Sequence, residues 1–396
     1  MLDILPYHAL TTNFFQKQSD IWQFFANPSQ QEEQLRAFKA DLLKNTYKFD
    51  PAAEVALYEK VHLAKEKLDL QLPVTLYQAP RTDEMNATIV YLDGEAHIVF
   101  SGDLMQLLND EELLAIIGHE LSHVLLYNQL GGSLEVTDRI IAAIANHSGS
   151  TQAQYETARL FRLYTEIFCD RGAYIVTGSY QPVVASLVKM STGLQTVNAD
   201  SYIKQAEEIF ELDTAIKAVG VSHPENFIRA RAIYIWHTKG KEGDPLIQQM
   251  IEGPAGMDEL DLFAQHRLTG LTEQLITLLL QPIWIKTPPV TALAKQYSDN
   301  LALHILPDKS QVATQIRQLH ASVQEYLAYV LYDFATADKT LEDVPLGYCF
   351  FLADELKLEK AFAGVVKRER KLTDKKIQSL KKQTIEEYNK QNLPSA

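Results

Sequence analysis

Residues 113–126 form an almost unbroken apolar run whose only ionisable members are His119, Glu120 and His123. Fourteen such residues are too many for an ordinary strand and fit a buried helix. Residues four apart stand above one another on a helix face, so the two imidazoles lie side by side. A helix this apolar must be covered on nearly every side, yet it carries three groups that are costly to bury without partners. The fold is therefore constrained to wrap a core around the helix while answering one polar face. The spacing H-E-x-x-H suits a single metal ion, zinc above all, with the glutamate acting as general base on a water that the metal activates.

A catalytic zinc takes three protein ligands and keeps a fourth position open. Residues 126–129 are Leu-Tyr-Asn-Gln, so no third histidine follows closely, and the ligand must come from a later helix. Glu166 is the candidate, in a helix expected over 153–176. Asp170 stands one turn further along the same face, where it can accept the free ring N–H of a ligating histidine. Glu156 competes, but has no acid at that offset. A solvated Glu166 and a salt-bridged Asp170 are the plainer alternative, set against the apolar neighbours Leu163, Ile167, Phe168 and Ala173.

Upstream, residues 72–77, 88–92 and 97–100 are short and rich in β-branched residues, with Asp93-Gly94 as a hairpin turn before the third. Asp50-Pro51 signals a helix from about 51 to 68, and Asn109 caps one over 110–129. The rest of the chain reads as helix. The polar stretch 239–245 is the expected boundary. The charge is −14, from 51 acidic and 37 basic residues, which argues against a general nucleic-acid or anionic-membrane binder. No apolar segment reaches the ~20 residues of a membrane span. Two cysteines 180 residues apart cannot build a disulfide framework, so a reducing, cytoplasmic setting is expected.

These residues resemble the gluzincin metallopeptidases that include the HtpX heat-shock proteases and the CAAX prenyl endopeptidases. The likeness rests on His119–His123, on Glu166–Asp170, on Ser222-His223-Pro224 followed by Arg229, and on Asn86-Ala87 just before the helix. It covers about residues 50–237. It implies that His119, His123 and Glu166 bind zinc, that Glu120 is the base, and that Asp170 supports the first histidine. It further implies that His223 donates to the oxyanion; read from the residues alone, His223 is equally an ordinary residue before Pro224. Arg229 would orient a carboxylate or the substrate, and Asn86 and Ala87 would lie on a substrate-binding edge strand. The chain departs from the family in lacking a membrane span, and in Cys169, where the family usually has alanine. The remaining histidines (His8, His62, His97, His147, His237, His266, His304, His320) show no ligand spacing.

Near the carboxy terminus, Ala337-Asp338-Lys-Thr-Leu-Glu-Asp343 resembles the acidic turn of the tellurite-resistance TerB-like helical domain, with lysine in place of its glycine. Thr340 and Asp343 have capping-box spacing. Residues 367–390 hold nine Lys/Arg against four Asp/Glu, a solvated face or a docking patch for an acidic partner.

The expectation is an α+β fold: a mostly helical zincin-type domain with a small sheet beside the H-E-x-x-H helix, followed by an all-α region. The expected parts are a helical segment (1–49), the metallopeptidase domain (50–243), a helical connector (244–315) and a TerB-like domain with a basic tail (316–396). The expected function is zinc-dependent endopeptidase action on peptide or protein substrates, with a possible protein partner at the carboxy-terminal domain. The alternative is a catalytically quiet scaffold or stress-response binding protein.

Overall fold

A computed structural model describes residues 2–27, 31–92, 94–213, 216–298, 301 and 305–392; Asp93 of the expected hairpin turn and His304 lie outside them. The fold is α+β and mostly helical, with one small sheet. The chain divides into two compact units, Met1–Gly253 and Pro254–Ala396.

The first unit opens with α1 (Pro6–Gln16), α2 (Ser19–Ala26) and α3 (Gln31–Asn45), then β1 (Tyr47–Lys48) and α4 (Val55–Leu68). β1 was not foreseen; two residues are too short to show a period. The helix after Asp50 begins at Val55 rather than Pro51. Asp50 instead closes a turn, its Oδ1 accepting from Ala52 N at 2.9 Å and its carbonyl from Glu54 N at 2.9 Å. β2 (Val74–Gln78), β3 (Asn86–Leu92) and β4 (Glu95–Ser101) complete a sheet ordered β1-β2-β4-β3. β2 and β4 run parallel, whereas β3 and β4 form an antiparallel hairpin with Ile89 opposite Ile98. β3 is thus an edge strand. Leu76, Ile98 and Phe100 are fully buried on the sheet's inner face.

The helices that follow are α5 (Leu104–Leu107), α6 (Asp110–Asn128), α7 (Ser133–Asn146), α8 (Gln152–Thr177), α9 (Tyr180–Thr192), α10 (Ala199–Leu212), α11 (Asn226–Lys239) and α12 (Asp244–Glu252). α6 and α8 form the central pair. α1 packs on α7 and α8, where His8 Nε2 lies 3.3 Å from Thr165 Oγ1 and Tyr7 stacks on Tyr164. The turn at 239–245 falls inside this unit. Arg171 donates to Asp244 Oδ1 at 2.6 Å, and Ala218 N donates to Met250 O at 2.7 Å, so α12 is fastened to what precedes it.

Among the described residues the regular structure of the second unit is all helix: α13 (Leu262–Leu279), α14 (Pro288–Tyr297), α15 (Lys309–Arg317), α16 (Ala321–Thr336), α17 (Val344–Glu355), α18 (Glu359–Glu369) and α19 (Asp374–Asn392). Leu331, Phe334, Phe350 and Phe362 are fully buried in its core. The capping box expected from Thr340 and Asp343 does not form. Asp338 takes both the Thr340 N–H (2.9 Å) and its hydroxyl (2.7 Å), while Asp343 accepts from Arg370 at 2.9 Å. No helix among the described residues is long and apolar enough to cross a membrane.

Candidate metal centre

The start of α6 is fixed by a complete capping box. Asn109 Oδ1 accepts from Glu112 N at 3.0 Å, and Glu112 Oε2 accepts from Asn109 N at 2.9 Å. The same carboxylate lies 2.9 Å from Lys189 Nζ of α9, a buried pair that ties the two helices together. Further along, α6 crosses α8 at very close range. A Cβ on Gly172 would lie 1.8 Å from Ser122 Oγ and 2.6 Å from Ser122 Cβ, and one on Gly118 would lie 3.0 Å from Val176. Missing side chains at these two positions let the backbones approach, which brings the His119–His123 face onto Glu166 and Asp170.

The two imidazole rings are 5.3 Å apart between centroids. Glu166 Oε2 lies 3.5 Å from His119 Nε2, and Glu166 Oε1 lies 3.9 Å from His123 Nε2. Donors around a tetrahedral zinc sit roughly 3.3 Å apart, so these three groups fit the ion with small adjustments. Asp170 Oδ1 is 3.0 Å from His119 Nδ1, leaving Nε2 to face Glu166. Cys169 supplies a rival donor, because its sulfur and one nitrogen of each histidine all lie within 4.8 Å of one another.

Arg229 of α11 stands behind these acids. Its Nε and Nη2 donate to the two oxygens of Asp170 at 2.8 and 2.6 Å, and its Nη1 is 3.3 Å from Glu166 Oε2. Of the two roles the sequence left open for Arg229, the observed contacts are with carboxylates.

The charges follow from this packing. Burial alone would raise the pKa of Glu166, but Arg229, His119 and His223 outweigh it and hold the carboxylate ionised well below its usual range. Burial likewise opposes a charged His119, yet Asp170 and Glu166 push it up to about 10. Burial takes His123 the other way, to about 4, and lifts Glu120 to about 8. It also raises the Cys169 thiol well above the ordinary range, with the carboxylates of Glu166 and Glu120 adding to the effect.

His223 comes from the loop between α10 and α11. Its side chain is 59% exposed, and Nδ1 lies 3.0 Å from Glu166 Oε2. Arg159 of α8 holds the loop by donating to the carbonyls of Ala218 (3.2 Å) and Gly220 (3.4 Å). A Cβ on Gly220 would meet His223 O at 2.0 Å, so the turn presenting His223 has no room for a side chain there. Glu156, the competing ligand, is instead paired with Arg159 Nε at 2.7 Å.

His119, Glu120, His123, Glu166, Asp170, His223 and Arg229 line one cleft of about 280 Å³ together with Asn86 and Ala87 of β3. Tyr127, one turn past His123, lines it as well. Arg159, Gly172 and Lys189 were not singled out from sequence. Only the Glu156–Arg159 spacing, typical of a helix ion pair, was available as a signal for any of them.

This arrangement gathers imidazoles and carboxylates of a kind that can hold a metal ion in one cleft. Residues 52–236 match the model of Peptidase family M48. Among individual proteins the chain is similar to the plastoglobule-localized metallopeptidase 48, chloroplastic, of Arabidopsis thaliana, with 26% identity over 189 residues. The match takes in 44% of this chain and 54% of that protein, so the chain spans about half the length of this curated relative. No solved structure gives a significant match.

Proposed function

We propose that this protein is a zinc-dependent endopeptidase acting on extended or unfolded polypeptide. The carrying observation is the convergence of two imidazoles and the ionised Glu166 in one cleft beside the free edge of β3. In this reading His119, His123 and Glu166 hold zinc, which when bound supplies Lewis acidity and an activated water. Glu166 is preferred to Cys169 because its two oxygens face both rings, 3.5 Å from His119 Nε2 and 3.9 Å from His123 Nε2. Asp170 fixes the ring of His119, and Arg229 fixes both acids. Glu120 takes the proton from the attacking water and returns it to the leaving amine. His223 donates to the charge that develops on the scissile carbonyl. The substrate adds as a strand to β3 along Asn86 and Ala87. A cytoplasmic setting, the HtpX/CAAX type and a TerB-like, partner-binding second unit belong to the same proposal and rest on the sequence signals alone.

One observation favours a second reading. If Cys169 joined the other three donors, the coordination would close and the protein would be a quiet scaffold. The substitution Glu120→Gln separates the two. It should leave metal content unchanged and lower casein or peptide hydrolysis by ~10²–10⁴-fold. Activity unchanged by this substitution would refute the mechanism.

A further inference from the structure

The second unit carries a groove of its own along α16. Glu325, Tyr326, Tyr329, Val330 and Asp333 recur at three- and four-residue spacing, so they share one stripe of that helix. With Tyr297 of α14 they line a groove of about 480 Å³, in which Val330 is buried and the three tyrosines are half-buried. Ring faces and carboxylates thus stand side by side. At one end a guanidinium is already in place: Arg368 of α18 pairs with Glu325 and lies 5.8 Å from the centre of the Tyr329 ring, whose hydroxyl donates to Glu369 Oε1 at 3.0 Å. At the other end Tyr297 donates to Asp333 Oδ2 at 2.8 Å. Asp333 is exposed and pairs with no cation among the described residues. The two ends offer the same chemistry, and only one is filled.

We propose that this groove docks an arginine side chain of a polypeptide partner, its guanidinium on Asp333 and against the rings of Tyr297 and Tyr326. The proposal goes beyond the peptidase reading, and its failure would leave the metal centre untouched. Arginine is the fitting cation because its planar guanidinium both stacks on a tyrosine face and forks onto a carboxylate, as Arg368 does at the far end. Lysine matches the charge but not the plane. An anionic segment would meet Glu325 and Asp333 and be repelled.

The test uses the full-length chain carrying Glu120→Gln, so that no peptide is cleaved, and short Gly/Ser peptides bearing arginine, lysine or citrulline at the same positions. Citrulline keeps the shape of arginine without its charge. Binding is read by calorimetry at about 0.15 M salt, where diffuse attraction to a chain of net charge −14 is screened. The arginine peptide should bind at least about threefold tighter than the lysine peptide, with citrulline weakest. Asp333→Asn, a surface change, should bring the arginine peptide down to the lysine level, and Tyr326→Leu should do the same. Arg368→Gln vacates Glu325 and Tyr329 and should tighten arginine binding by a similar factor. Equal binding of arginine and lysine peptides, or an arginine preference that survives Asp333→Asn, would overturn the proposal. So would an Arg368→Gln chain that binds arginine no tighter.

Discussion

Metal binding at this centre should be coupled to loss of a proton. In the metal-free protein the His119 imidazole lies between Asp170 and Glu166, and their pull outweighs burial to raise its pKa to about 10. Zinc at Nε2 must displace that proton. Well below pH 10 the apparent affinity should therefore fall tenfold for each unit of acidification. Between pH 8.0 and 6.5 this one group contributes roughly 30-fold, or about 2 kcal/mol. Calorimetric zinc titrations in two buffers of different ionisation enthalpy measure the protons released. At pH 7.5 the protein should release at least one per zinc, and Glu120→Gln should still do so, because that carboxyl is a separate source of protons. Asp170→Asn should lower the release and weaken zinc binding by roughly 10–100-fold, since it removes the partner of the ligand ring. Zero proton release in the Glu120→Gln protein would refute the charge assignment of His119.

Two further outcomes concern the supports of the centre. Arg159→Ala should free the His223 loop from its carbonyl contacts and lower kcat with little change in zinc content, while Arg159→Lys should restore part of the loss; unchanged kinetics in the alanine variant would show that the clasp has no function. His8 is fully buried beside Thr165, and burial drops its pKa to about 3. Below pH 6.5 the unfolded state binds the proton and the folded state does not, so stability falls with acidification until about pH 3. At pH 4.5 the loss is about 3 kcal/mol. Hydrogen exchange in 6–16 should show α1 opening more readily in acid, and His8→Phe should flatten that dependence.

What the sequence revealed follows from the range of each interaction. His119 with His123, and Glu166 with Asp170, are each one helical turn apart, so local spacing displays both pairs. The Asn109 cap was equally legible, since its partner Glu112 is three residues away. The α6–α8 crossing was not, because Gly172 matters only against Ser122, fifty residues earlier in the chain. Lys189 has no local signal for its pairing with Glu112, and Arg229, flagged only through the resemblance, meets Asp170 fifty-nine residues away through the fold. Asp50-Pro51 misled for a related reason, since Asp followed by Pro opens a turn as readily as it starts a helix.

The central claim is that His119, His123 and Glu166 form one zinc site. Elemental analysis of protein purified without added metal tests it most directly, applied to the unaltered chain, Glu166→Ala and Glu156→Ala. The account predicts about one zinc per chain in the unaltered and Glu156→Ala proteins and little in Glu166→Ala. Equal zinc in the two variants, or none in the unaltered chain after exposure to zinc, would contradict it.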